Sequence, residues 1–303
     1  MLKRTLLASA VLAFASSTHA YNFEGTYTLS GGTTQLEMNG DKGDKIELLD
    51  HQVDLTVYLQ DIDVSKGAWN EAAFLNKASS VTGSMLLEES KVEDSDDDDK
   101  FKTNSFSLGG RAVVSDFIFD ASIATSKDND DDSKTQTSSF GFGSYIGNNH
   151  SVTGDVTFRS GDDFIGSFNG FDLGANYHGY FPVGTSKMSM SLDARASIVS
   201  DTYNGVSDTD STGGGVDIVF TYFPFPQFGL GAELQTLSRT ISQPGADDID
   251  ETRARSTIFA NWYPVEQFRI GAQFYAQNQE RENDDNKLEN NGAGAALDLR
   301  IRF

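Results

Sequence analysis

Not one cysteine occurs in 303 residues, so no disulfide holds this fold together. Prolines number only five, too few for a proline-rich linker between domains. Positive charge is scarce: 23 Lys and Arg stand against 45 Asp and Glu, and nucleic acid would be repelled. Beyond residue 20 no apolar run approaches the ~20 residues that a membrane helix needs. Catalytic signatures are missing as well, with no GxSxG, no HExxH and no phosphate-cradling loop. These absences exclude a disulfide scaffold, a helical membrane protein and a nucleic-acid binder, and an enzyme is not expected.

What is present begins with a leader. In MLKRTLLASAVLAFASSTHA, Lys3 and Arg4 precede an apolar stretch and a small-residue site ending at Ala20. This reads as a secretory signal peptide over residues 1–20, cleaved after Ala20, with one domain over 21–303. Its removal leaves 21 basic and 45 acidic side chains, a net charge of −24.

Nearly every later segment alternates with period two, the signature of β-strands. In MSMSLDARASI, Met188, Met190, Leu192, Ala194, Ala196 and Ile198 share one parity, while Asp193 and Arg195 hold the other. Fourteen such segments are predicted, with twelve or sixteen as alternatives. Most have the roughly ten residues with which a tilted strand crosses a bilayer. Connections alternate between short ones (VSDF, GNNH, VGTSK, FPQ, VEQ) and long acidic ones. The seven long segments, 31–50, 91–100, 128–136, 161–170, 201–212, 241–251 and 280–290, together carry −22. Charge gathered at one end of a hairpin array predicts an all-β, closed antiparallel transmembrane barrel. Its short turns would be periplasmic and its long acidic loops extracellular.

The parity of charge points the same way. The apolar set of most strands carries no charge, as lipid demands of an outer face. The opposite set supplies the predicted pore lining: Asp120, Asp155, Arg159, Asp172, Asp193, Arg195, Asp217, Glu233, Arg239, Arg253, Arg255, Arg269, Asp298 and Arg300. For fourteen strands at ~4.8 Å spacing and ~40° tilt the backbone radius is roughly 14 Å, too wide for side chains to fill. Charges of opposite sign on facing walls would sort solutes by charge; alternatively they pair and hold the barrel's shape. Tyr180-Phe181, Tyr222-Phe223 and Trp262-Tyr263 each precede a proline and a short turn, which predicts a periplasmic aromatic girdle. The closing run GAALDLRIRF puts Leu299, Ile301 and Phe303 on one face, and a last strand ending in an aromatic resembles the sorting signal of outer-membrane barrels.

With the opening YNFEGTYTL, the segment AWNEAAFLNKASSV (Ala68 to Val81) and the closing LDLRIRF, the chain resembles the putative general porin family of Gram-negative bacteria. The resemblance covers essentially the whole mature chain and implies a channel through the outer membrane. It brings no catalytic or ligand-contact residue to carry over. In length the chain is closer to monomeric fourteen-stranded barrels than to large trimeric porins.

The expected function is therefore passive diffusion of small hydrophilic solutes and ions, with mild cation preference from the acidic outer mouth. A sugar- or nucleoside-specific channel and a non-conducting adhesion barrel are the alternatives. Expected partners are outer-membrane lipid and lipopolysaccharide, the barrel-assembly machinery at the C-terminal strand, and the permeating solutes. No cofactor and no metal is expected: the acidic runs 94–99 and 128–132 lack the spacing of an EF-hand loop and read as solvated loops. His178 shares parity with Asp172 and reads as a pore-lining polar group. One segment breaks the alternation. SKGAWNEAAFLNKA, Ser65 to Ala78, has helical spacing where a short turn belongs, and reads either as a helix at the rim or as a plug entering the lumen.

Overall fold

The computed structural model describes residues 20–92, 100–128, 133–162, 166–184, 187–204, 209–242, 245, 247–283 and 286–303. Fourteen strands follow one another: β1 (Ala20–Met38), β2 (Asp41–Asp63), β3 (Ser80–Val92), β4 (Lys100–Val114), β5 (Phe117–Asp128), β6 (Lys134–Ile146) and β7 (His150–Asp162), then β8 (Ser167–Pro182), β9 (Ser189–Asn204), β10 (Asp210–Phe225), β11 (Phe228–Ser242), β12 (Ile249–Val265), β13 (Phe268–Glu282) and β14 (Lys287–Arg302). Each pairs antiparallel with its neighbours in sequence, and β14 returns to β1 to close the barrel. Closure leaves no unpaired edge, which is the condition for a sheet in lipid.

Alternation places the side chains. On β9 Met190, Leu192, Ala194, Ala196 and Ile198 face outward, Ile198 with 63% of its surface exposed, while Ser189, Ser191 and Asp201 are buried inside. Phe119, Phe142, Leu173, Phe220, Leu234, Ile258, Phe274 and Leu297 continue the same apolar band around the wall. Exposed hydrophobic side chains this numerous would aggregate in water, whereas a bilayer solvates them.

The strands run further at one end than period-two patterning predicts. Residues 31–50, expected as an irregular loop, continue the β1–β2 ladder from Gly31↔Leu49 to Met38↔Asp41. The hairpin turns at Asn39 (φ 51°) and Gly40 (φ 91°), and a two-residue turn with both φ values positive matches the twist of its strands. Backbone pairing persists there although side-chain hydrophobicity has stopped alternating, since unpaired amides cost more than polar side chains facing water.

At the opposite end the connections between strands are short: residues 115–116, 147–149, 183–188, 226–227 and 266–267. The exception is the β2–β3 connection. It contains two 3₁₀ turns, Val64–Lys66 and Trp69–Glu71, and α1 (Ala72–Leu75). It folds across the barrel mouth, and the protein's only two buried apolar clusters among the described residues form beneath it. One joins Tyr21, Ile62, Val64, Ala72 and Ala78; the other joins Ala68, Tyr180 and Phe223. Burying a side chain such as Ile62 or Phe223 contributes about 2 kcal/mol, so this docking is a substantial part of the interior's cohesion.

Candidate functional site

All fourteen predicted pore-lining residues face the lumen, and most are matched in pairs. Arg111 Nε donates to Asp120 at 2.8 Å. Arg195 Nη2 reaches Asp155 at 2.9 Å and Asp172 at 3.2 Å, while Asn176 ties Asp155 from the side at 2.6 Å. The guanidinium lies over Gly174, where an added Cβ would sit 2.4 Å from Arg195 Nη2. Charge-assisted, two-pronged bonds of this kind hold neighbouring strands β7, β8 and β9 to one another from the inside.

Nearer the long-loop end the arginines converge on two buried carboxylates. Asp201 accepts from Arg159 at 2.8 Å and Arg239 at 3.4 Å. Glu251, wholly shielded from solvent, accepts from Arg239 (2.9 Å), Arg281 (3.2 Å), Gln279 (3.0 Å) and Arg253. Neither carboxylate is among the residues predicted to line the pore, because both fall in segments read as loops. Parity held the missing signal: Asp201 continues the set of Asp193 and Arg195, and Glu251 that of Arg253 and Arg255. Asp217 and Glu233 meet no arginine among the described residues and instead share the amide of Gln235, at 3.3 and 2.6 Å.

The third group lies at the short-turn mouth, where the β2–β3 segment forms a floor. Ala68 N donates to the Tyr180 hydroxyl (3.0 Å) and Trp69 N to the carbonyl of Pro226 (2.8 Å). Arg302 Nη2 donates to the Trp69 carbonyl (2.8 Å) and the Tyr263 hydroxyl (2.7 Å), its guanidinium flanked by the Tyr21 and Tyr263 rings. Arg269 Nη1 bonds Asn70 (2.9 Å) and its Nε bonds Asp298 (3.0 Å), while Arg300 and Arg302 share Glu24. Tyr145 donates to the Phe74 carbonyl at 3.3 Å. Strands from β6 round to β14 thus grip one segment, and of the two placements expected for Ser65 to Ala78 the structure adopts the plug.

His178 helps hold that floor. It stands 3.1 Å from the Glu71 carboxylate, bonds Asp193 on its other nitrogen, and packs its ring on Phe74 at 3.9 Å between centroids. Both partners are carboxylates, so the imidazole is clamped between them.

The predicted aromatic girdle needs correction in half of its members. Phe181, Tyr222 and Trp262 face outward, whereas Tyr180, Phe223 and Tyr263 are buried inside against the floor. Neighbours in a strand point to opposite faces, so each aromatic pair supplies one ring to lipid and one to the plug. Leu299, Ile301 and Phe303 share the outer face of the seam, where Phe303 and Phe23 exchange backbone bonds and pack their rings 5.6 Å apart. The acidic runs 94–99 and 129–132 lie outside the described residues.

Between floor and charged walls a cavity of about 950 Å³ opens, bounded by Asn70 and Phe74 below and by Arg111, Asp120, Asp155 and Arg195 at the sides. A second, of about 480 Å³, lies beside Asp201 and Arg239. A polar, hollow interior within an unbroken apolar exterior defines a transmembrane barrel of the outer-membrane type.

Within that class the sequence is specific. A model of the family described as putative general bacterial porin matches residues 1–210, and the chain belongs to that family. Among solved structures it is similar to the Acinetobacter baumannii outer membrane protein Omp33 (16% identity, TM-score 0.49, covering 95% of this chain and 100% of that one). It is also similar to a mutant of the monoaromatic hydrocarbon channel TodX (9% identity, TM-score 0.54, 96% and 92%) and to OmpT of Vibrio cholerae (9%, 0.45, 96% and 100%). Comparison with curated protein sequences finds no match.

Proposed function

We propose that the protein is an outer-membrane diffusion channel for small hydrophilic solutes and ions, with its periplasmic mouth occupied by the β2–β3 segment. The observation that carries this reading is the hollow charged lumen inside an apolar wall; an adhesion barrel has no need to keep its interior wet. The floor favours a channel that opens on displacement of the plug over a permanently open pore. On this reading residues 1–20 direct export and are removed after Ala20. The face of Leu299, Ile301 and Phe303 meets the assembly machinery, and the apolar band meets lipid and lipopolysaccharide.

Mild cation preference belongs to the same reading. Nine of the ten arginines among the described residues lie within ion-pair distance of a carboxylate, so they add little net field to the lumen. Asp50, Asp54, Glu88, Asp217 and Glu233 carry no such partner among the described residues, which leaves this part of the lumen net acidic. TodX is described as a monoaromatic hydrocarbon channel; walls as charged as these suit polar solutes better.

Planar-bilayer recording tests the proposal. The intact barrel should conduct, and replacing Ser65–Ala78 by Asn-Gly should raise conductance several-fold. Silence from both correctly folded forms would eliminate the channel reading.

A further inference from the structure

Arg255 differs from every other described arginine in having no carboxylate partner. Its guanidinium carbon lies 4.2 Å from the centroid of the Tyr275 ring, and its Nε is buried without a hydrogen-bond acceptor. Tyr275 itself lies flat on the wall. A Cβ added at Gly294 would come within 2.4 Å of its hydroxyl oxygen, and one at Gly32 within 2.8 Å. Those glycines are register partners on β14 and β1, so the ring of a β13 tyrosine spreads over two further strands. Only glycine leaves room for such a shelf.

Beyond the shelf the charge changes sign. Ser30, two residues from Gly32 on the same face of β1, donates to Asp50 at 2.7 Å. Asp50 is the register partner of Glu88, and both face the lumen with no cation beside them among the described residues. Like charges directly opposite across a strand pair destabilise it, so the pair is built at a cost. Tyr275 lies within electrostatic reach of both Arg255 and Asp50. The step from Gly32 to Ser30 is ~7 Å, and with the stacked guanidinium the gap from Arg255 to Asp50 comes to roughly 10 Å. An ammonium and a carboxylate ~3 Å apart, each adding a ~2.8 Å hydrogen bond, span about 9 Å.

We propose that Arg255, Tyr275, Asp50 and Glu88 form a lumen subsite for small zwitterions of the α-amino-acid kind. Arg255 takes the carboxylate with its two-pronged guanidinium, held in place by stacking on the Tyr275 ring, and Asp50 and Glu88 take the ammonium. The inference deepens the channel reading by naming a solute class, and binding can be measured apart from conduction.

Calorimetry on the folded, detergent-solubilised barrel at low salt, with L-alanine, propionate and ethylamine as probes, provides the test. Alanine should bind at least tenfold more tightly than either single-charge analogue. Arg255→Gln should remove that advantage and leave ethylamine unchanged, while the Asp50→Asn, Glu88→Gln pair should remove it and leave propionate unchanged. Arg255→Lys, which keeps the charge and loses the fork, should retain part of it. Equal binding of the three probes, or alanine binding indifferent to these substitutions, would overturn the subsite. A barrel that binds alanine but passes no current under KCl would instead overturn the channel.

Discussion

A glycine and a glutamate show how much single positions carry. Gly67 sits where a Cβ would come within 2.6 Å of both Leu75 Cδ1 and the Tyr180 hydroxyl, so the floor docks only because this residue has no side chain. Gly67→Val should therefore loosen the plug and raise open probability in bilayer recordings, with the barrel's strand content by circular dichroism unchanged. Glu251 has the opposite character, one buried carboxylate holding Arg239, Arg253 and Arg281. Glu251→Gln leaves three guanidinium groups under-compensated, and losing one partner of a buried ion pair costs about 3–5 kcal/mol. Urea unfolding in micelles should show a lower midpoint, and reversal potentials should move toward anion preference.

At the scale of elements, a strand's two faces meet two solvents, and strand β9 offers the cleanest check. Single cysteines at Asp193, Arg195 and Ser197 should react with a water-soluble thiol reagent, while those at Leu192, Ala194 and Ala196 should resist it until the membrane is dissolved. Uniform reactivity along the strand would contradict the barrel. The β1–β2 hairpin makes a separate point about connections. Its turn requires positive φ at Asn39 and Gly40, and Gly40→Ala should cost about 1 kcal/mol at a site touching no lumen residue. Thermal unfolding would register that loss while conductance stays the same.

For the whole molecule the decisive quantity is the balance of charge along the permeation path. Exposed charges at the outer mouth act over only about 8 Å at 0.15 M salt, so their influence fades as salt rises. Lumen carboxylates without arginine partners are less screened. Reversal potentials under a KCl gradient should show cation preference, strongest at low ionic strength. Anion preference persisting at low salt would mean that Arg255 and the paired arginines govern the path instead.

Much of this organisation is legible in the chain because a membrane barrel writes itself in local rules. Lipid forbids charge on one face, water demands polarity on the other, and a period of two residues is enough to sort Met190 from Arg195. Strand number, the seam at Phe303 and the inward parity of the fourteen residues expected to line the pore follow from that local constraint. Partnership between distant positions does not. Asp201 and Glu251 become hubs only when β7, β9, β11, β12 and β13 curve their inner faces together, and no local pattern records which arginine will reach which carboxylate. The same limit applies to Ser65–Ala78. Its broken alternation announces something other than a strand, yet the choice between rim and plug rests on Tyr180, Phe223, Tyr263 and Arg302, held by strands far away in sequence. Barrel closure brings those side chains to one mouth, and their packing against Ala68 and Trp69 makes the plug.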